Sequence, residues 1–503
     1  MNSPPSIAAN VPSTQQKELI SRLLAVMPCP NGPPYTSSLQ ISRDDLYPVP
    51  GRNDVCIRIR AVGLNHIDWK NLEHETMVKK WPEVLGFEIA GVVELVGMNV
   101  QENELRVGQA VFGLSGPVGM RRGPPEKEGP EEHGPGEKGD DGISGAGEME
   151  ASKNLAKVMV EEVLKADRKL EKKGFWLGRS GGFQDVTCVH KSWATRMPAS
   201  WPFQWAAGVP LAYMTACSAV VCGLGIRLPF LANSEPAHQG SASLLNLESP
   251  TIDTTSPKDP SADKLKDYHA NESGVKSVLV LGGSSGVGSS AIQLLRMALG
   301  PKAVIIAATN SEKYYRGLRE RGATAHLRGE FEGLIEKVHC LTEGKGVDAI
   351  LDCVSGAACL DDGPFTPSGP PLPSSSDTDE TTITNDLDSN TTIKAEENLK
   401  AMSFWGVFRE DGPKLYAEVA TGRKVAVPTD VGIKATLIFS RMILDQPDGE
   451  RALQELPALI ESGKFVFPHP GGVRVVGKGL ESVAPGLAEL RESGGGMKFI
   501  VEL

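Results

Sequence analysis

The residues with the most chemical promise are the glycines at 282, 283, 286 and 288. They follow an apolar run, Val278-Leu279-Val280-Leu281, of the kind buried on both faces in a parallel sheet. From Ser289 the apolar residues Ile292, Leu295, Met297 and Leu299 return at helix-like spacing. Strand, glycine turn and helix form the context that a dinucleotide loop needs. Glycine lets the backbone turn sharply and approach a pyrophosphate closely. The helix start then points free N–H groups and partial positive charge at the phosphates. Gly283, Gly286 and Gly288 give a G-x-x-G-x-G spacing, with Ser284, Ser285 and Val287 between them.

A second strand is expected over Ala303–Ala308, followed by Thr309-Asn310-Ser311-Glu312-Lys313-Tyr314-Tyr315-Arg316. Folds that prefer NAD usually end this strand in a carboxylate that binds the ribose hydroxyl. Here the tip carries none, and Ser311, Lys313 and Arg316 lie just beyond it. A hydroxyl and cations suit a 2′-phosphate, so NADP(H) is the expected cofactor. The alternative is that Lys313 and Arg316 are ordinary solvated helix residues.

These residues need elements to hold them. A chain of 503 residues, 40% of them hydrophobic, can bury two or three domain cores. The net charge of −11 argues against a nucleic-acid partner, whose footprint would be basic. The eight cysteines form no C-x-x-C pair, which is expected of reduced thiols in a cytoplasmic protein rather than of a disulfide frame. No signal peptide is read at the N-terminus, and no apolar run is expected to span a bilayer.

Early strands are expected at 23–27 and 55–62, within a β-rich segment that closes near Gly113. Residues 115–178, 231–273 and 361–399 read as inserts too polar to order themselves, apart from an amphipathic helix at 151–173. A long helix is expected over Trp205–Leu224. Further strands are expected at 347–354 and 414–419, the latter followed by a glycine-containing loop at 420–424. In the tail, strands are expected at 464–468, 473–476 and 497–503. The fold class is therefore α/β: a doubly wound Rossmann sheet over 205–440, plus a β-rich domain built from both chain ends, 1–204 and 441–503.

Five segments carry a family resemblance: GLNHIDWK at 63–70, LGFEIAGVVELVG at 85–97, GGFQDVTCV at 181–189, VLVLGGSSGVG at 278–288, and the tail from Phe467. On these the chain resembles the medium-chain dehydrogenase/reductase superfamily, and within it the zinc-free fungal trans-acting enoyl reductases that serve polyketide synthases. The resemblance implies a GroES-like fold for the β-rich domain. It places Asn65 and Asp68, and Thr215 on the helix entering the nucleotide fold, near the nicotinamide. Gly283 to Gly288 would hold the pyrophosphate, Ser311 to Tyr314 would meet the adenosine phosphate, and Asp352 would end a strand at the cofactor edge. Asp68 and Thr215 could equally be a helix cap and a packing residue.

Zinc members of the superfamily place a Cys and a His where this chain has Asn65 and Phe87. Without thiolate or imidazole at those places no zinc is expected, and a lone His66 beside a turn does not replace them. The resemblance further implies hydride transfer from NADPH to an activated carbon–carbon double bond, on a free or carrier-bound enoyl substrate, with a polyketide synthase as partner. A quinone or enone reductase, and a nucleotide-binding scaffold without turnover, are the alternatives. No catalytic residue is assigned; Tyr213 and Lys70 are the nearest candidates for proton donation. No membrane association is expected, and the chain is expected to be a monomer or homodimer.

Overall fold

The computed structural model describes residues 19–45, 47–78, 81–116, 181–231, 273–328, 333–354, 404–419, 427–428 and 430–503. The expected inserts, the helix at 151–173 and the loop at 420–424 fall almost wholly outside them. The chain divides into two units. One comprises Met1–Ala194, Val476–Arg491 and Val501–Leu503; the other comprises Thr195–Val475 and Glu492–Ile500.

The first unit is rich in antiparallel sheet. Strand β1 (Ile20–Ala25) lies between β2 (Leu39–Asp44) and β4 (Glu83–Val84) in a small sheet. The larger sheet is organised on β3 (Asp54–Leu64), which pairs with β5 (Glu88–Val96) and β7 (Val186–His190). It continues through β6 (Ala110–Leu114) to β8 (Ala194–Arg196). The tail strands β15 (Val473–Lys478) and β16 (Lys498–Glu502) complete it on the far side of β3. Helix α1 (His66–His74) follows β3 directly.

One expectation about the cysteines is corrected here. Cys56 and Cys188 face each other directly across the β3–β7 register, with Cα atoms 4.1 Å apart, and form a disulfide. They are 132 residues apart in sequence, so only strand pairing reveals them as partners. Both are buried. Thiol titration of the protein unfolded without reductant is expected to find two fewer thiols than the eight cysteines. Cys56→Ser is expected to lower stability by about 2–4 kcal/mol, read by denaturant titration. A full complement of thiols would contradict the pairing.

The second unit is built on a six-stranded parallel sheet. Its order is β11 (Ala325–Arg328), β10 (Val304–Thr309), β9 (Ser277–Leu281), β12 (Ala349–Asp352), β13 (Leu415–Val419), β14 (Lys434–Ile438). All five pairings are parallel. The order reverses between β9 and β12, and that is where doubly wound sheets bind ligands, beyond the carboxyl ends of the strands. Every residue of β9 is buried, as an apolar run covered on both faces requires. Leu279, Leu281, Ile306, Ile350, Phe404, Trp405 and Tyr416 belong to one core cluster beside it.

Helix α2 (Pro210–Ser218) packs on α3 (Gly286–Leu299). The long helix expected from Trp205 is interrupted: Phe203–Ala206 is a single turn, α2 begins at Pro210, and Ala219–Gly223 widens to a π-helix. Taken together, Phe203–Gly223 is long and apolar enough to cross a membrane by length and composition, contrary to the sequence expectation. It is mostly buried within the fold, as a core helix is.

The remaining helices are α4 (Tyr315–Glu320), α5 (Leu334–Leu341), α6 (Arg451–Glu461) and α7 (Val483–Glu492). The segment 464–468, expected as a strand, joins no sheet. Its Val466 N–H and carbonyl are both bound by the Gln293 side chain of α3, at 2.8 Å and 3.2 Å, in place of a strand partner.

Candidate functional site

At the carboxyl end of β9 the chain turns through Gly282, whose φ of +72° is in the left-handed region that favours glycine. The Gly283 N–H donates to the Ala308 carbonyl of β10 at 2.8 Å, which fixes the turn against the neighbouring strand. Ser285 caps α3: its hydroxyl accepts from the Gly288 N–H at 3.0 Å. The Ser289 N–H then takes the Ser285 carbonyl as the first helical bond. Among the described residues no acceptor is found for the N–H groups of Gly286 and Val287, the first two residues of the helix. They therefore offer an anion two donors at the positive end of a 14-residue helix.

The glycines are required sterically as well. A Cβ on Gly288 would stand 2.4 Å from the Gly282 carbonyl oxygen, so α3 packs directly on the turn. A Cβ on Gly283 would meet the Ala307 Cβ at 2.9 Å. The Ser284 hydroxyl shares a 2.7 Å hydrogen bond with the Thr309 hydroxyl, which joins the glycine turn to the tip of β10. The sequence reading gives Thr309 no site role of its own. The signal for Thr309 was available: it occupies the strand position where a carboxylate was sought.

Beyond Thr309, Ser311 precedes a 3-10 turn, Glu312–Tyr314, without a capping bond from its side chain. Lys313 is exposed, with its ammonium 4.8 Å from the centre of the Tyr314 ring. Tyr314 is buried. Arg316 pairs with Glu320 one turn along α4 at 2.9 Å, as a solvated helix cation does. Among the cations named from sequence, Lys313 is thus the one near the strand tip that is not committed to a carboxylate.

On the other side of the crossover, Asp352 ends β12 and is fully buried. It accepts from the Tyr416 hydroxyl at 2.9 Å and from the Val354 N–H at 3.1 Å. The Cys353 N–H bonds the Leu281 carbonyl at 3.1 Å, which draws this strand end to the glycine turn. Burial first, and the Asp352 charge second, push the Cys353 thiol well above its ordinary range. Thr215 turns its hydroxyl back to the Leu211 carbonyl at 2.7 Å, a bond inside its own helix.

The first unit gathers a different set. The Asp68 carboxylate accepts the Asn65 N–H at 2.8 Å and so caps α1. The Asn65 side-chain amide donates to the buried Glu88 carboxylate at 2.9 Å. Asn65 stands at one of the two places that the resemblance aligns with zinc ligands, and its amide is engaged with a carboxylate. Phe87, at the other, is buried. His66 accepts from the Trp69 indole at 3.1 Å. Among the described residues no group of three His, Cys, Asp or Glu side chains is arranged to hold a metal ion.

The two candidates for proton donation fare differently. Tyr213 is fully buried, its hydroxyl donates to the Ala452 carbonyl at 3.0 Å, and burial raises its pKa well above the usual tyrosine range. It is a packed helix residue. Lys70 is half-buried, with its ammonium 5.5 Å from the centre of the Trp69 ring.

Residues 51–199 match the alcohol dehydrogenase GroES-like domain family. The chain is 23% identical over 474 residues to the dehydrogenase pigH of Monascus ruber, covering 91% of this chain and 94% of that protein. It is 28% identical over 182 residues to the phenolphthiocerol synthesis polyketide synthase type I Pks15/1 of Mycobacterium marinum, covering 36% of this chain and 6% of the synthase. Among solved structures, the Pseudomonas syringae quinone oxidoreductase shares the fold at 16% identity and a TM-score of 0.53, covering 96% of this chain and 99% of that one. The CurK enoyl reductase does so at 15% identity and a TM-score of 0.53, with the same coverage of 96% and 99%. Residues 51–199 thus carry an alcohol dehydrogenase GroES-like domain, and the chain shares its fold with oxidoreductases of known structure.

Proposed function

We propose that the chain is an NADPH-dependent reductase of an activated carbon–carbon double bond, acting on an enoyl thioester that is free or held on a carrier protein. The observation that carries this reading is the pair of amides at Gly286 and Val287, set beyond β9 where the strand order reverses. A dinucleotide pyrophosphate fits such a place, because its charge meets N–H donors and the glycine backbone admits close approach. The donor set at the tip of β10 fits a 2′-phosphate: Thr309 replaces a carboxylate, and the Ser311 and Lys313 side chains lie next along the chain.

A bound nicotinamide supplies the hydride. The work of this chain is to hold and to shield. Gly286 and Val287 anchor the pyrophosphate; Ser284 and Thr309 brace the turn from behind; Lys313 selects the phosphorylated adenosine. Asp352, held inward by Tyr416, fixes the end of β12 beside that turn.

The CurK enoyl reductase, which shares the fold, supports an enoyl substrate, and the 182-residue match to a polyketide synthase supports a carrier-bound one. The quinone oxidoreductase, equally close in fold, supports small free quinones or enones as a second reading. NADPH consumption against a panel of enoyl thioesters, enones and quinones separates them. Nucleotide binding with no turnover on the whole panel would favour a scaffold and sink both.

Lys313→Ala tests cofactor choice. Losing one contact to a phosphate is expected to raise the KM for NADPH roughly tenfold and leave that for NADH within about twofold. An equal rise for both would remove Lys313 from the phosphate site.

A further inference from the structure

The tail segment Val466–His469 runs as a strap along the back of the nucleotide loop. Gln293 of α3 binds Val466 through both backbone groups. The Arg321 guanidinium donates to the Phe467 carbonyl at 2.7 Å. Past Pro468 the strap delivers His469 into the interior, where it is only 8% exposed. Its Nε2 lies 3.1 Å from the Gly208 carbonyl, two residues before α2 begins. A carbonyl only accepts, so Nε2 carries the hydrogen and Nδ1 keeps a lone pair. Nδ1 has no hydrogen-bond partner among the described residues. Burial first, then the nearby Lys498 charge, pulls the imidazole pKa down to about 3, so the ring stays neutral.

The ring stands against Gly286. A Cβ built on that glycine would lie 2.5 Å from His469 Cε1 and 2.8 Å from Nε2, with the Ala212 Cβ next at 3.1 Å. Real Cβ atoms do not come so close, so side chain and imidazole exclude each other. Position 286 therefore faces two demands: an open front for an anion, and an open back for His469.

We propose that His469 is a positioning residue for the nucleotide loop: its ring, tied to Gly208, backs Gly286 and sets where the Gly286 and Val287 amides stand. The strap links the tail of the chain to two helix starts at once, α2 through Gly208 and α3 through Gly286. This rests on the nucleotide reading of the loop, but the steric coupling between positions 286 and 469 can be read without nucleotide.

The test is a cycle of four full-length proteins: unchanged, His469→Ala, Gly286→Ala, and the double variant. NADPH affinity is measured by the fluorescence of the reduced nicotinamide, and thermal midpoint by circular dichroism. Gly286→Ala is expected to weaken binding about 100-fold and His469→Ala about tenfold. If the imidazole is what excludes a side chain at 286, removing it makes room. The double variant then binds about threefold better than Gly286→Ala alone and melts at a higher temperature; it stays weaker than His469→Ala because Ala212 still crowds the new methyl.

A double variant no better than Gly286→Ala in either measurement overturns the proposal. His469→Gln, whose amide can renew the bond to Gly208, is expected to bind within about threefold of the unchanged protein. An equal loss in His469→Gln and His469→Ala would also overturn it. If the unchanged protein binds no nucleotide, the reading of the loop fails, while the melting cycle still decides the coupling.

Discussion

Gly288→Ala is expected to raise the dissociation constant for NADPH about 100-fold or more while the protein remains folded. The obstacle is backbone. The new methyl would stand 2.4 Å from the Gly282 carbonyl oxygen and 2.9 Å from the Gly283 Cα. No rotamer change can relieve either contact, so α3 must back away from the turn that it packs on. That movement breaks the bond from the Gly288 N–H to the Ser285 hydroxyl, a loss of about 1 kcal/mol for a helix cap. Overpacking adds about 1–3 kcal/mol. The summed 2–4 kcal/mol falls on the position of the amides at Gly286 and Val287, and about 2.7 kcal/mol is a hundredfold in affinity. Nucleotide titration measures the loss and far-ultraviolet circular dichroism checks the fold. Unchanged affinity in Gly288→Ala would mean that the turn is not a phosphate cradle.

The largest effect on stability is expected at the opposite end of the same sheet. Asp348 lies one residue before β12 and is fully buried. One carboxylate oxygen accepts the Lys276 N–H at 2.7 Å, the Ser277 N–H at 2.9 Å and the Ser277 hydroxyl at 3.0 Å. The other pairs with Arg409 at 3.1 Å. Asp348→Ala removes the acceptor for three donors at the start of β9 and leaves Arg409, itself partly buried, without this counter-charge. Breaking a buried charge network from one side costs about 3–5 kcal/mol. A shift of that size in denaturant titration is expected, with NADPH affinity in the surviving folded protein little changed. That pair of outcomes would place nucleotide binding at the carboxyl ends of the strands and stability at their amino ends. A strong loss of nucleotide affinity in folded Asp348→Ala would contradict that division.

The parallel-sheet unit was legible in the sequence because its signals are local. An unbroken apolar run is what a strand covered on both faces needs, and 278–281 fell inside β9. The expected strand at 303–308 appeared as Val304–Thr309, and 414–419 as Leu415–Val419. What the sequence hid depends on contacts far along the chain. Cys56 and Cys188 are remote until the β3–β7 register sets them opposite each other. The segment 464–468 has strand-like composition, yet a single glutamine side chain takes its hydrogen bonds. Trp205–Leu224 is apolar throughout, so periodicity could not show where Pro210 restarts the helix. In the site, the glycines, Ser285 and Asp352 were named from sequence and lie around one turn. His469 was not, because a lone histidine in a tail carries no spacing signal; only the close approach of its ring to Gly286 draws attention to it.

Titration of the full-length chain with NADPH and with NADH, followed by the fluorescence of the reduced nicotinamide, is the most direct measurement. Saturable binding of NADPH is expected, at least about tenfold tighter than NADH, since the tip of β10 offers Thr309 and Lys313 where a carboxylate would repel the phosphate. Equal affinity for the two would contradict the phosphate assignment, and failure of both to bind would contradict the site itself.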